Sequence, residues 1–163
     1  MPEKCIQAPW RSGFILGEME KGCVFCRLAR IKRPAFRNLI LYRAETHYIV
    51  MNKYPYNGGH LLIVPYRHVG LLERLTGPES LEMMKLCQLS LKVMKRHLKP
   101  GAFNLGMNLG RPAGAGIPRH LHMHIVPRWQ GDANFMPIVG KTRIHSIPMK
   151  YIYDTLAKGF AAV

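Results

Sequence analysis

Ten residues in the second half of the chain place three histidines at alternate positions, each followed by an apolar residue: Arg119-His120-Leu121-His122-Met123-His124-Ile125-Val126-Pro127-Arg128. A β-strand points successive side chains to opposite faces, so the three imidazoles would share one face and the apolar residues the other. A helix would separate the histidines, and β-branched Ile125 and Val126 also favour a strand. The spacing predicts a strand from Arg119 to Val126 that ends at Pro127.

Three histidines on one strand face can act on the same substrate. A neutral imidazole is a nucleophile, a proton carrier near neutral pH and a metal ligand. Strand neighbours at positions i and i+2 lie roughly 7 Å apart, so each histidine can take a separate role. The pattern indicates a catalytic or metal-binding strand.

The rest of the chain predicts a single α+β domain spanning residues 1–163, with a largely antiparallel sheet. Runs of strands are bracketed by helices, with no regular βαβ alternation, between an irregular N-terminal arm (1–20) and a C-terminal helical tail (146–163). The first expected helix runs from Gly22 to Ile31 and is ended by Pro34. The longest begins after Thr76-Gly77-Pro78, with Thr76 or Ser80 as possible caps, and runs to Leu98, and a third spans Met149 to Lys158. Expected strands are Asn38 to Tyr42, Tyr48 to Met51, Leu61 to Val64, Ala102 to Asn108, Arg119 to Val126 and Thr142 to His145.

The charge balance predicts an anionic partner. The 163 residues include 24 Lys plus Arg against 9 Asp plus Glu, a net charge of +15, which attracts nucleotides and nucleic acids. The basic runs are Arg27, Arg30, Lys32, Arg33 and Arg37, and Lys92, Lys95, Arg96 and Lys99. Solvated faces explain such runs as well, and neither contains the interleaved aromatics of single-strand binders. Because no long apolar run or signal-like segment is present, we expect a soluble cytoplasmic protein without a membrane span.

Two further segments carry residues with specific chemistry. Cys23-Val24-Phe25-Cys26 supplies two thiols, which suit a metal site, a redox pair or two small buried residues; a tetrahedral zinc site would need two more ligands. The run from Asn108 to Gly116 is rich in glycine and directly precedes the histidine strand. Glycines let backbone N–H groups approach an anion, so this loop is a candidate phosphate cradle, although an ordinary turn has the same composition.

The motif His-Leu-His-Met-His followed by Ile-Val-Pro-Arg resembles the signature of the histidine triad (HIT) superfamily of nucleotide hydrolases and transferases. Pro127-Arg128-Trp129-Gln130-Gly131-Asp132-Ala133-Asn134-Phe135 is similar to the branch of diadenosine tetraphosphate phosphorylases, and the likeness extends from about Pro9 to Arg143. The resemblance implies a HIT-like fold: a mainly antiparallel sheet of about five strands, one long helix and shorter flanking helices. It also implies a homodimer, with a tetramer as a further option, joined across a sheet edge and the long helix.

The resemblance also implies roles for individual residues. His122 would attack the α-phosphorus and form a nucleotidyl-histidine, and His124 would contact the phosphate or the leaving oxygen. The ligands of a structural zinc ion would be Cys23, Cys26, His68 and His120. The substrate-binding positions would be Asn52 at the ribose, His60 near the nucleotide, Asn108, Gly114 and Gly116 at the phosphates, and Phe25 and Leu28 at the base, although core packing explains Phe25 and Leu28 equally well.

One departure bears on the reaction. Many HIT hydrolases have Gln or Ser four residues before the first triad histidine, where this chain and the phosphorylase-like branch have Gly116. The smaller residue leaves room for inorganic phosphate as acceptor. We therefore expect a nucleotidyltransferase or hydrolase that cleaves dinucleoside polyphosphates, diadenosine tetraphosphate above all, by phosphorolysis. The alternatives are a hydrolase of AMP conjugates or adenylylated nucleic-acid ends, and a nucleotide-binding module with little turnover.

Overall fold

The computed structural model describes residues 22–132 and 147–163. Its helices are α1 (Val24–Ala29), α2 (Gly77–Leu98) and α3 (Met149–Ala161), and its strands are β1 (Ile40–Arg43), β2 (His47–Met51), β3 (Leu61–Pro65), β4 (Ala102–Gly106) and β5 (Met123–Arg128). Short 3-10 turns occupy Phe36–Asn38 and Leu72–Arg74. The predicted arm over residues 1–20 and the predicted strand from Thr142 to His145 lie outside the described residues.

The described strands form one antiparallel sheet of five, in the order β1-β2-β3-β5-β4. Together with the three helices this confirms the predicted α+β class and sheet type. β5 lies between β3 and β4, pairing His124 with Leu62 on one side and with Gly106 on the other. The histidine strand is therefore held by backbone hydrogen bonds on both sides, and a rigid interior strand positions catalytic groups well.

The two faces of the sheet bury different side chains. α2 and α3 cover one face, where Leu121 and Ile125 join the larger apolar core. The opposite face carries a smaller cluster around Phe25 from α1 and Leu62 from β3. Because His124 pairs directly with Leu62, it lies on that second face. Within β5 the predicted alternation is confirmed, since His124 and Ile125 lie on opposite faces of the sheet, whereas His120 and His122 precede the strand.

Local chemistry accounts for the start of α2. Thr76 and Glu79 form a capping box, in which the Glu79 N–H donates to Thr76 Oγ1 and the Thr76 N–H donates to the Glu79 carboxylate. Such a box satisfies two N–H groups that the helix leaves unpaired. Of the two caps considered from the sequence, Thr76 is the one used. No helix among the described residues is long and apolar enough to cross a membrane.

Several predicted boundaries are wrong. The bounds of β1, β2, β3, β4 and α3 shift by one to three residues at one end or both, and larger or better explained differences occur at the triad strand and the first helix. β5 begins at Met123 instead of Arg119 and continues through Pro127 to Arg128. Pro127 is tolerated because it lies beyond Ile125, the last residue of β5 that pairs with β3, and one side of the strand is unpaired there.

The first helix ends at Ala29 rather than Ile31. The Arg43 guanidinium donates to the carbonyls of Ala29 at 2.5 Å and of Ile31 at 2.6 Å. A side chain from β1 thus satisfies carbonyl groups that the helix end leaves free.

Candidate active site and metal centre

The segment that leads into β5 carries the first two histidines of the triad. The Leu121 N–H donates to the Val69 carbonyl at 2.6 Å and fixes this segment against the chain that follows β3. A Cβ at Gly70 would lie 2.9 Å from the Arg119 Cα and 3.0 Å from the Pro118 carbonyl oxygen, so only glycine allows this close approach. The segment that carries His120 and His122 is therefore positioned by this hydrogen bond and by the close backbone approach at Gly70, not by strand pairing.

His122 is held with one nitrogen available for chemistry. Its Nδ1 lies 2.9 Å from the His120 carbonyl oxygen, and since a carbonyl can only accept, Nδ1 carries the proton and donates. The lone pair of the neutral ring is then on Nε2. Burial lowers the pKa of His122, which favours the neutral, nucleophilic form.

A chain of hydrogen bonds fixes the proton position on His124. The Tyr56 N–H donates to His60 Nδ1 at 3.0 Å, so the ring proton of neutral His60 sits on Nε2. His60 Nε2 then donates to His124 Nδ1 at 2.9 Å. The proton of neutral His124 is therefore on Nε2, a buried atom with no hydrogen-bond partner among the described residues.

The surroundings of His60 and His124 keep both imidazole rings neutral. Burial, with the nearby His124 and His122 as smaller causes, lowers the pKa of His60 to about 3. Burial, with His122 as the smaller cause, lowers the pKa of His124 to about 4. A buried N–H without a partner costs free energy, and at His124 it is a donor suited to an anionic oxygen.

Asn52 belongs to the same network. Its Nδ2 lies 3.3 Å from His60 Nδ1, and its Oδ1 accepts the Tyr54 N–H at 3.0 Å. The Tyr56 ring stacks on His124 with centroids 5.6 Å apart and planes at 11°. The turn between β2 and β3 (residues 52–60) thus supports His124 through a hydrogen bond and through ring contact.

The aromatic wall of the site comes from α1. The Phe25 ring lies 5.0 Å from the His122 ring centroid and 5.4 Å from that of His120. Leu28, half-buried, packs in the same apolar cluster. The structure places Phe25 beside the nucleophile candidate; the base-pocket role of both residues stays a prediction.

The glycine-rich loop before the triad has fewer free donors than its sequence suggests. The Gly114 and Ala115 N–H groups donate within the loop, to Arg111 and Gly110 respectively. Gly114 needs glycine because its φ is +88°, whereas nothing lies within 4 Å of a Cβ built at Gly116. Asn108 is half-buried and makes no hydrogen bond with another described residue. The phosphate contacts predicted for this loop therefore stay predictions.

The four residues predicted as metal ligands come together. One ligand atom from each of Cys23, Cys26, His68 and His120 lies within 4.8 Å of all the others. The closest approaches are 3.1 Å between Cys26 Sγ and His68 Nδ1 and 3.2 Å between the Nδ1 atoms of His68 and His120. Two cysteines and two histidines form a common donor set of tetrahedral zinc sites.

His120 is oriented towards that cluster. Its Nε2 donates to the Pro65 carbonyl at 2.9 Å, which leaves the Nδ1 lone pair facing the cysteines. A backbone carbonyl thus fixes His120 in the tautomer that a metal ligand needs. The residues present fit a zinc ion on geometry and on donor chemistry.

Two open cavities adjoin the metal cluster and share His68. The first, of about 420 Å³, is lined by Cys26, Ala29, Arg30, Arg43, Tyr66 and His68. The second, of about 360 Å³, is lined by Arg67, His68, Val69, Gly70, Leu71, Arg74, Pro118 and Arg119. Arginines line both cavities, and in the second cavity the guanidinium of Arg67 is paired with the Glu79 carboxylate.

Sequence reasoning missed the residues that support the site from a distance. Asp132 and Asn57 connect the end of β5 to the β2–β3 turn, and the Pro65 carbonyl orients His120. Asp132 lies in the run that carries the family resemblance, which was the available signal. Nothing in the sequence marks Asn57 beyond its position in a turn-forming segment.

The comparisons with known proteins agree with this geometry. A model of the HIT domain matches residues 34–131. The chain is 49% identical over 106 residues to an AP-4-A phosphorylase of Mycobacterium tuberculosis, covering 65% of this chain and 54% of that protein. It is 38% identical over 92 residues to a bis(5'-adenosyl)-triphosphatase of Saccharomyces cerevisiae, covering 56% and 44%. The chain thus spans about half the length of these curated relatives.

The fold has a solved counterpart in a Zn-bound histidine triad family protein from Mycobacterium smegmatis. The TM-score is 0.70 at 24% identity, and the match covers 86% of this chain and 94% of that one. At this identity the match shows a shared fold.

Proposed function

The chain belongs to the HIT domain family, and from that premise we propose that it cleaves dinucleoside polyphosphates through a covalent nucleotidyl-His122 intermediate. The proposed substrate is diadenosine tetraphosphate, and the proposed acceptor is inorganic phosphate. The observation that carries the proposal is the orientation of His122: its Nδ1 donates to the His120 carbonyl at 2.9 Å, and its Nε2 lone pair has no hydrogen-bond donor among the described residues. Relatives named AP-4-A phosphorylase and bis(5'-adenosyl)-triphosphatase support the substrate class.

In the first step, Nε2 of His122 attacks the α-phosphorus. A nitrogen–phosphorus bond forms, and the bond from phosphorus to the bridging oxygen breaks, releasing ATP. The buried Nε2–H of His124, which has no partner among the described residues, would donate to an oxygen of the phosphate chain. Positioning and charge stabilisation supply most of the catalysis in phosphoryl-type transfer.

In the second step, an oxygen of inorganic phosphate attacks the α-phosphorus of AMP-His122. The nitrogen–phosphorus bond breaks, ADP leaves, and neutral His122 is regenerated. The open space around Gly116 supports the choice of phosphate over water, since a Cβ there would meet nothing within 4 Å. Backbone donors for phosphate would come from loop positions other than Gly114 and Ala115, whose N–H groups are already bonded.

A zinc ion held by Cys23, Cys26, His68 and His120 would have a structural role in this proposal. When bound, it would tie α1 to the segment that leads into β5. His120 is then a ligand that also supplies, through its backbone carbonyl, the acceptor that orients His122. Zinc content of untagged protein, measured before and after chelation, tests this site; less than half an equivalent per chain would exclude it.

The test of the function supplies diadenosine tetraphosphate with and without inorganic phosphate. ADP plus ATP, formed only when phosphate is present, is the expected result, whereas AMP plus ATP would exclude phosphorolysis. His122→Ala is expected to abolish cleavage and the trapped nucleotidyl adduct while nucleotide binding persists. His97→Ala, which removes an exposed histidine from α2, is the control and should keep full activity. Full activity in His122→Ala would exclude the covalent mechanism.

The arginine-lined cavities favour a second candidate function, the removal of AMP from adenylylated nucleic-acid ends. Arg30 and Arg43 line one cavity, and three further arginines line the other. Arg74→Gln is expected to weaken oligonucleotide binding and to reduce its salt dependence by about one unit of slope. Lys158→Gln on α3 is the control. AMP release from an adenylylated oligonucleotide without cleavage of diadenosine tetraphosphate would favour this function.

A homodimer across β4 is part of the proposal. In the described sheet β4 is an edge strand that pairs only with β5, and its Leu105 is 43% exposed. An exposed edge with an apolar side chain is a surface for pairing with another strand. A second copy of the chain satisfies both features by continuing the sheet.

A further inference from the structure

Asp132 accepts four hydrogen bonds just after the end of β5. Arg128 Nε donates to Oδ2 and Arg128 Nη2 to Oδ1, both at 2.7 Å, and the Trp129 N–H donates to Oδ2 at 3.0 Å. The fourth bond comes from Asn57 Nδ2 at 2.7 Å. Arg128 holds the pKa of Asp132 well below its usual range, so the carboxylate stays ionised. Three bonds fix the carboxylate locally, and the fourth reaches the β2–β3 turn.

Asn57 uses every hydrogen-bonding group of its side chain amide in this connection. Its second Nδ2 hydrogen donates to the Pro127 carbonyl at 3.0 Å, and its Oδ1 accepts the Gly58 N–H at 3.0 Å. Its backbone carbonyl accepts the His60 N–H at 3.1 Å. Asn57 therefore joins the end of β5 directly to the backbone of His60.

The same turn returns to β5 at His124. His60 Nε2 donates to His124 Nδ1 at 2.9 Å, and the Tyr56 ring stacks on His124. The turn is thus attached to β5 at two places, once at the strand end through Asn57 and once at the histidine. Within the described residues, neither Asp132 nor Asn57 forms a hydrogen bond with a triad histidine.

We propose that Asp132 and Asn57 are positioning residues, which clamp the β2–β3 turn to the end of β5 so that His60 holds His124 in its Nε2–H tautomer. Without the clamp the turn can move relative to the strand, and the bond from His60 to His124 lengthens. Nδ1 of His124 then becomes free to carry the ring proton, and Nε2 changes from donor to acceptor. A residue that only stabilised the fold would leave the tautomer of folded molecules unchanged.

The first test reads the tautomers directly and needs no enzymatic activity. Long-range ¹H–¹⁵N correlation spectra of the full chain distinguish protonated from unprotonated ring nitrogens at His60 and His124. Asp132→Asn and Asn57→Ala are both expected to convert His124 from a single Nε2–H form to a mixture. Asp154→Asn is the matched control, since it removes a carboxylate from another i,i+4 ion pair, with Lys150 on α3. An unchanged His124 in both site variants would overturn the proposal.

The second test is kinetic, and it rests on the proposed function. Both variants are expected to lower kcat by about 10- to 100-fold with KM changed less than threefold, because a misplaced donor acts mainly on the transition state. The double variant should lose no more than Asn57→Ala alone, since Asn57 makes both bonds to the end of β5, to Asp132 and to the Pro127 carbonyl, and Asp132 acts through Asn57. A loss of kcat that only tracks the folded fraction in thermal melts would count against positioning.

The two tests separate the two claims. If the wild-type chain cleaves no dinucleoside polyphosphate, the proposed function fails while the tautomer spectra still decide the positioning role. If Asp132→Asn does not fold, Asn57→Ala, which removes no charge, provides both measurements.

Discussion

Lowering the pH from 8 to 5.5 is expected to destabilise the protein through two histidines that the fold keeps neutral. The pKa of His60 is lowered to about 3 and that of His124 to about 4, mainly by burial. In the unfolded chain both rings protonate as the pH falls through about 6.5. Since the unfolded state then binds more protons than the folded state, the free energy of unfolding decreases as the pH is lowered.

The size of this effect follows from the two pKa values. At pH 5.5 each unfolded histidine is largely protonated while each folded one stays largely neutral. Each contributes a loss of roughly 1–2 kcal/mol relative to pH 8. His60→Gln removes one titrating group but keeps an amide at the position. The decrease in unfolding free energy between pH 8 and 5.5 should therefore be smaller in this variant by roughly 1–2 kcal/mol, whatever its stability at pH 8.

The assay is urea unfolding followed by tryptophan fluorescence at several pH values. Metal content must be the same in all samples, because ligand protonation at the Cys/His cluster adds its own pH dependence. His97→Gln is the control, since its side chain keeps its contact with water in the folded protein. Equal pH dependence in wild type and His60→Gln would refute the reasoning that His60 is held neutral by the fold.

Three further changes test the packing and assembly of the protein. Gly70→Ala places a Cβ 2.9 Å from the Arg119 Cα, so we expect urea unfolding to show a loss of about 2–3 kcal/mol in the free energy of unfolding. Zinc retention should also weaken, because the segment that carries His120 is pushed away from the chain that follows β3. Gly159→Ala places a Cβ 2.7 Å from Val93 Cγ1. Overpacking costs about 1–3 kcal/mol, and the better helix propensity of alanine returns about 1 kcal/mol. Thermal melts should therefore show a modest decrease in stability. Leu105→Lys puts a charge on the β4 edge and should convert the proposed dimer to a monomer in sedimentation experiments. Wild-type stability in either glycine variant would contradict the packing argument for that glycine, and an unchanged mass in Leu105→Lys would contradict the proposed dimer interface.

Much of the fold could be predicted because periodicity reports burial. Alternation along the triad strand separates the histidine face from the apolar face, and Thr76 with Pro78 marks the start of α2. Element bounds do not follow from periodicity alone, since they depend on partners elsewhere in the chain. The Arg43 side chain on β1 donates to the Ala29 carbonyl at the end of α1. β5 can continue through Pro127 because its pairing with β3 ends at Ile125.

The candidate site divides in the same way. The triad and the Cys-x-x-Cys pair can be recognised from spacing and family resemblance, and the structure brings all four proposed metal ligands together. No pattern in the sequence shows that the His120 carbonyl orients His122 or that Asn57 lies against Asp132. The last two residues are 75 positions apart, and neither forms a motif with the other.

The sequence by itself determined which residue types can do chemistry and that His124 and Ile125 lie on opposite faces of β5, because side-chain alternation is a property of any extended chain. Only the tertiary structure decided which nitrogen of each histidine carries the proton. That choice depends on whether the facing atom is a carbonyl, an amide N–H or another imidazole. His120, His122 and His124 have the same side chain, but their partners at Pro65, His120 and His60 differ. These partners leave a lone pair on Nδ1 of His120, a lone pair on Nε2 of His122 and an N–H donor at Nε2 of His124.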